Sequence, residues 1–564
     1  MPLDPIAPFY TTLSELTPDN WRERAAAKRA SLNDLIPAEW RLSDAHLPPV
    51  VTDATTVVAQ CGLLTARELE ITELDELEEL ASRIAHGAYT AVEVTTAFCK
   101  RAAIAHQLCN CLTEIYFEQA LVRAAQLDRQ LLETGKPAGP LHGVPISLKD
   151  QFDIEGLECT MGYASYLGRI SPRNSALVQL LLDAGAIIHV RTNVPQTLMD
   201  GDTENHVFGR THNPLNLKLS PGGSSGGEGA LVAMKGSICG VGTDIGGSIR
   251  IPASFCGLHA LRPSSHRVPY GFATNSLMGQ ASVPSTAGPL ARSFSTCTHF
   301  LRTVLDAQPS NYDATALPFP FDPSAAERVK ALPKLAFGVI RTDGHVTPHP
   351  PVQRAVEEAV QKLRAAGYEV IEFDISDFKG ISPLLSAIFF ADGGDDFAHT
   401  FAHIREPLLP SLDFPSRAST LKTVYESYQL NRQKETFQQA FLSAWLSTSK
   451  NTSTGRPVDA LLGPTTAMTA CEPGGMKWAG YTGMLNLLDL PAACMPVGRV
   501  DPERDAVTGK EEFVPLGETD EEVREDYDPV TTAGMPISLQ IVGRRWKDEE
   551  LLAICERIAP ILAA

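Results

Sequence analysis

The chain reads as an α/β protein: a large mixed, mostly parallel twisted sheet sandwiched by helices. Three observations predict this. Residues 175–192 (SALVQLLLDAGAIIHVRT) run as an apolar helical pattern, a glycine stop and a strand. Residues 353–374 (QRAVEEAVQKLRAAGYEVIEFD) repeat that order. Apolar runs recur at 459–464 (DALLGP), 492–498 (AACMPVG) and 536–543 (PISLQIVG), as expected of buried strands. Alternating helix–strand units of this kind build largely parallel sheets with helices on both faces.

Residues 1–50 are rich in Pro, Asp and Trp and read as an N-terminal arm wrapping the body, with one short helix around WRERAAAKRASL. From Ile71 to about Thr134 the pattern is helical. ITELDELEELASRIAHG spaces its apolar residues by threes and fours, and FEQALVRAAQLDRQLLETG does the same before a glycine stop. The turn cluster Gly139-Pro140-Leu141-His142-Gly143 precedes VPISLKD, a buried strand with Lys149 at its exit. Residues 376–450 are irregular and aromatic. They read as a helical layer packed on the sheet, with Phe389 and Phe390 as candidate pocket walls. No linker interrupts the sheet signals from Lys149 to Val542, so residues 51–564 are expected to form one domain, with a catalytic core at about 141–270. Residues 501–528 carry twelve acidic and three basic residues, the pattern of a solvated loop between two buried strands.

Composition narrows the function classes. The chain is 43% hydrophobic and 20% charged, with a mean hydropathy of −0.06, ordinary for a globular protein. A net charge of −19 argues against nucleic acid and anionic membrane surfaces as partners. The eleven cysteines are odd in number and lack a framework spacing, which predicts reduced, buried thiols and a cytoplasmic location. Cys109-Asn-Cys111 is too tight for a zinc knuckle, and neither a metal nor a cofactor is expected. No signal peptide is visible, and no run of 18 apolar residues predicts a membrane-spanning helix.

The chemistry concentrates in residues 220–252. Two glycine-flanked serines, Ser224 and Ser248, stand 24 residues apart. Glycines let backbone N–H groups approach a bound atom, and a serine beside such donors suits acyl transfer. The stretch lacks the Lys-Ser/Thr pair of a phosphate-binding loop. Gly222 to Gly226 also match the G-x-S-x-G elbow, but the preceding NPLNLKLSP reads as loop and no histidine context completes a Ser-His-acid triad.

TDIGGSIR (243–250) resembles the nucleophile segment of the amidase signature family. So do SPGGSSGGEGA (220–230), VPISLKD (144–150), TNVPQTLMD (192–200), HVFGRTHNP (206–214), LNLLDLPAACMPVG (485–498) and MPISLQIVGR (535–544), in the expected order across most of residues 70–560. The wording looks most like the fungal-type acetamidase and general amidase branch, near the fatty-acid amide hydrolases. The resemblance implies the amidase signature fold and a Ser–cis-Ser–Lys triad: Ser248 as nucleophile, Ser224 as bridge and Lys149 as base. It implies an oxyanion site at the N–H groups of Ile245, Gly246, Gly247 and Ser248. Ser225 is expected to hold the loop and contact the nucleophile, and Asp244 with Arg250 to brace it as a buried ion pair. The base role requires a neutral lysine, which burial favours. Taken singly, Lys149-Asp150 reads as a solvated ion pair, Ser224 and Ser225 as turn residues and Ser248 as a helix cap; their register in one chain points to catalysis.

Leu198, Met199, Gly222 and Gly223 are the candidate substrate contacts. Nothing in the sequence is placed to bind a substrate carboxylate or ammonium, so a neutral small, aryl or acyl amide is expected. A homodimer is the expected assembly. Two alternatives stay open: a glutamine-hydrolysing subunit of an amidotransferase, and a catalytically silent binding protein.

Overall fold

Eleven short strands form one sheet in the computed structural model, which describes residues 11–12, 17–49, 51–412, 421–506 and 513–563. In chain order they are β1 (Leu112–Ile115), β2 (Pro145–Lys149), β3 (Ile187–Thr192), β4 (Cys239–Asp244), β5 (His259–Arg262) and β6 (Thr286–Ala291). Then come β7 (Ala336–Val339), β8 (Glu369–Glu372), β9 (Ala460–Pro464), β10 (Ala492–Arg499) and β11 (Pro536–Val542). Across the sheet the order is β8-β7-β9-β11-β10-β5-β6-β4-β2-β3-β1.

The sheet is mixed, and its parallel part lies towards the two ends. β3, β2 and β4 pair in parallel, as do β8, β7 and β9. The centre, from β9 through β11, β10, β5 and β6 to β4, is antiparallel, and so is the β1–β3 edge. Crossover helices explain the division. Ala176–Asp183 carries the chain from β2 towards β3, and Pro350–Ala365 carries it from β7 to β8. Between β5 and β6 no helix is described, and neighbours joined that way run antiparallel.

Two element-level expectations differ from the structure. The helical run from Ile71 is interrupted, because β1 separates helices Ala91–Cys109 and Phe117–Thr134. Thr113 and Ile115 are buried there, and tertiary pairing with β3 overrides the helical pattern on either side. The acidic stretch 501–528 is not wholly solvated. Asp505 is buried against Arg354, at 2.6 Å, and Asp520 accepts the Thr347 N–H at 2.7 Å, while Glu518–Glu525 is helical. Residues 507–512 of that stretch lie outside the described residues.

The helix expected in the arm is Trp21–Asp34, and it buries Trp21, Ala25 and Leu32. Its Lys28 ammonium donates to Glu114 of β1 at 2.6 Å and to Glu158 at 2.8 Å, so the helix lies along the sheet edge. The region 376–450 forms helices Ile381–Phe389, Asp395–Ala402 and Val424–Ser447. Their apolar faces join Leu198, Met484 and Leu485 in a second core, with Met199 and Ile245 packed against it. All eleven cysteines are free. No helix among the described residues is long and apolar enough to cross a membrane.

Candidate active site

Lys149 is the last residue of β2, a strand buried at every position, so its side chain enters the protein rather than solvent. The glycine loop before helix Gly226–Ala233 brings Ser224 to it, and the Gly223–Ser224 peptide is cis. Lys149 Nζ lies 2.6 Å from Ser224 Oγ and 2.7 Å from Thr243 Oγ1 of β4. Burial pulls the Lys149 ammonium down to about 7, partly countered by the negative charges of Asp244 and Glu228.

Ser248 follows β4 by four residues and stands just before helix Arg250–Cys256. The Ser225 N–H donates to the Ser248 carbonyl at 3.1 Å, which locks the two serine loops side by side. The Ser225 hydroxyl faces the Thr243 backbone, at 3.3 Å from both its N–H and its carbonyl. Glycine makes this fit possible: a Cβ on Gly242 would stand 2.8 Å from Ser225 Oγ. Among the described residues the Ser248 hydroxyl has no hydrogen-bond partner. At 9% exposure against 1% for Ser224 and 0% for Lys149, Ser248 is the member of the three that meets solvent.

The Asp244 carboxylate organises the turn between them. It accepts the Gly247 N–H at 2.8 Å and the Ile249 N–H at 3.2 Å, and Arg250 grips it with two bonds of 3.0 Å. Burial alone would raise the Asp244 carboxyl, but the Arg250 guanidinium outweighs it and holds the group well below the usual carboxylate range. One expected oxyanion donor is thereby removed: the Gly247 N–H is already committed to Asp244. Gly247 has φ +133, a conformation that turns the chain for this contact. The N–H groups of Ile245, Gly246 and Ser248 have no partner among the described residues and are available to a ligand. Nothing lies within 4 Å of a Cβ built on Gly246, so that side of the turn is open.

Of the candidate substrate contacts, Leu198 is buried in the second core, and Met199 packs against that core, as does Ile245 of the turn. Helix Ile381–Phe389 approaches through Leu385, whose methyl lies 2.8 Å from where a Cβ on Gly483 would be. Phe389 and Phe390 are both buried; Phe389 lines a cavity of about 480 Å³ with Leu277 and Ile388, and none of Lys149, Ser224 or Ser248 lines it. Gly222 and Gly223 seat the serine loop: a Cβ on Gly223 would meet the Asp200 carbonyl at 2.8 Å.

Several residues of the site escaped sequence reasoning. Thr243 donates to Gln151 Oε1 at 2.7 Å, and both lie next to residues already singled out. Glu228 accepts from Ser147 at 2.6 Å and Thr192 at 2.8 Å, and burial lifts its carboxyl to about 8. Asn486 donates to Asp244 at 2.8 Å. Thr243, Glu228 and Asn486 stand inside TDIGGSIR, SPGGSSGGEGA and LNLLDLPAACMPVG, and Gln151 directly follows VPISLKD; membership of those motifs was the signal that could have found them.

A family model described as Amidase matches residues 93–552. The chain is 41% identical to "Putative amidase kk1C" of Curvularia clavata over 97% of its length and 99% of that protein. It is 39% identical to the "Acetamidase" of Emericella nidulans over 97% and 99%. Among solved structures, "Fatty acid amide hydrolase" superposes with a TM-score of 0.90 at 33% identity, covering 100% of this chain and 98% of that one.

Proposed function

This chain belongs to the amidase signature family, and on that premise we propose that it hydrolyses a neutral carboxylic amide through an acyl-enzyme. Ser248 acts as nucleophile, Ser224 as proton relay and Lys149 as base. The observation that carries this reading is the 2.6 Å approach of Lys149 Nζ to Ser224 Oγ in a place where burial brings the lysine to about 7. A serine hydroxyl needs a base, and a lysine serves as one only when neutral.

In the cycle, Lys149 takes the Ser224 proton as Ser224 takes that of Ser248. Ser248 Oγ bonds to the amide carbon, and the carbonyl electron pair moves onto oxygen. The N–H groups of Ile245, Gly246 and Ser248 receive that charge; losing one such donor costs about 3–4 kcal/mol of barrier. The C–N bond then breaks, the nitrogen recovers the proton from Lys149 through Ser224, and ammonia or an amine leaves. Water activated by the same relay hydrolyses the ester and frees the acid.

The apolar cluster that holds Leu198 and Leu385, with Met199, and Ile245 of the serine turn, packed against it, supports a neutral small, aryl or acyl amide. The names acetamidase and fatty acid amide hydrolase among its relatives agree with that class. The test is a fluorophosphonate probe with a panel of acyl amides and glutamine. Labelling at Ser248, absent from Ser248→Ala, with hydrolysis of simple amides, is the expected result. Glutamine as the sole substrate would replace this reading with ammonia supply to a partner. We expect the purified chain to be a cytoplasmic homodimer, which light scattering and cell fractionation check.

A further inference from the structure

Lys149 touches two hydroxyls, and the cycle uses only one of them. The second, Thr243 Oγ1, lies 2.7 Å from Lys149 Nζ and 2.7 Å from Gln151 Oε1. The Gln151 amide is oriented from its far side, where Nε2 donates to Tyr270 OH at 2.6 Å and to Asn275 Oδ1 at 3.1 Å. Its oxygen therefore faces Thr243. An amide oxygen only accepts, so the single Thr243 proton goes to Gln151. Towards Lys149 the threonine can then act only as an acceptor.

We infer that Gln151 is a positioning residue that aims the Lys149 lone pair at Ser224 by committing the Thr243 proton elsewhere. The inference rests on the reading of Lys149 as base. A neutral lysine amine has two N–H donors and one lone pair. With Thr243 limited to accepting, one N–H is spent on it and the lone pair is left for the Ser224 proton at 2.6 Å. Without Gln151, the Thr243 hydroxyl turns and donates to that lone pair, competing with Ser224 for the base. Gln151 and Thr243 are both buried, so no bulk water takes over the role of Gln151.

The test is a double-mutant cycle on the full chain, read by the rate of fluorophosphonate labelling at Ser248 and by kcat and KM for an amide. Gln151→Leu removes the acceptor and should slow labelling and kcat together by roughly tenfold or more, short of the roughly 10²–10⁴-fold loss of the base itself, with KM nearly unchanged. Thr243→Val removes the competitor along with the bond and should be milder. The double variant should recover to the Thr243→Val level, and Thr243→Ser should stay near wild type. A purely structural role for Gln151 gives a double variant slower than Gln151→Leu, and that outcome, or an unimpaired Gln151→Leu, overturns the inference alone. A wild-type chain that does not label at Ser248 overturns the reading of Lys149 and this inference with it.

Discussion

At the scale of the residue, the proposed chemistry turns on the charge state of one amine. Burial lowers the Lys149 ammonium to about 7, and only the neutral form accepts a proton. The rate of amide hydrolysis should therefore rise as pH increases through about 7 and level off above it, which a pH profile of kcat/KM checks. A flat or acid-favoured profile contradicts the base assignment. Lys149→Ala should lower kcat by about 10²–10⁴ while thermal unfolding stays cooperative. Glu228 adds a control. Burial lifts its carboxyl to about 8, so it is largely uncharged where Lys149 titrates, and Glu228→Gln should leave the midpoint of the activity rise near its wild-type position. At this scale motif register named Lys149, Ser224, Ser225, Asp244 and Arg250, and the structure sets Lys149 against Ser224 and Asp244 against Arg250. Thr243 and Glu228 stand inside the same motifs and Gln151 directly follows one, yet none was named, because their part depends on which strand lies opposite them, and spacing along one chain carries no trace of that. The Gly247 N–H shows the converse: the motif names four donors, and only the geometry reveals that Asp244 has taken one.

At the scale of the element, the turn after β4 does the shaping. Gly246 and Gly247 are neighbours with opposite demands. A Cβ on Gly247 would stand 2.7 Å from Thr482 Cβ, and its φ of +133 disfavours any side chain. Gly247→Ala should destabilise the protein by about 1–3 kcal/mol, seen as a lower midpoint in denaturant. Gly246→Ala meets nothing within 4 Å and should leave that midpoint near wild type while raising KM, since the methyl enters the open side of the turn. Elements with strong periodicity were legible in advance: the strand ending at Lys149, the helices around 77–134 and the late apolar strands. β4 and β1 were not. The glycines of CGVGTD are poor strand formers, and that run is held in the sheet by Glu228 and Ser225 packing against the bare glycine faces. β1 is only four residues long, too short for any period to register.

At the scale of the whole molecule, Arg250 links distant parts of the chain. Besides Asp244 it donates to Gln540 of β11 at 3.1 Å, to the Thr482 carbonyl at 3.1 Å and to Asn486 at 2.7 Å. The turn bearing Ser248 is thereby tied to a strand 290 residues later in sequence and to the helix Gly480–Leu488. Asp244→Asn leaves that guanidinium buried without its counter-charge and should cost about 3–5 kcal/mol in denaturant unfolding. The broad class of the sheet was readable from helix–strand alternation. The balance between parallel and antiparallel ladders was not, because it is set by connections such as 263–285 that hold no helix and leave no periodic mark. The opposite margin of the molecule carries a different consequence. β1 ends the sheet, and an uncovered terminal strand offers its free backbone groups to any other extended chain. Helix Trp21–Asp34, pinned there through Lys28, stands in the way of such pairing. A chain shortened past Asp34 should keep the three side chains of its proposed chemistry and yet clump in solution, its open border recruiting further copies.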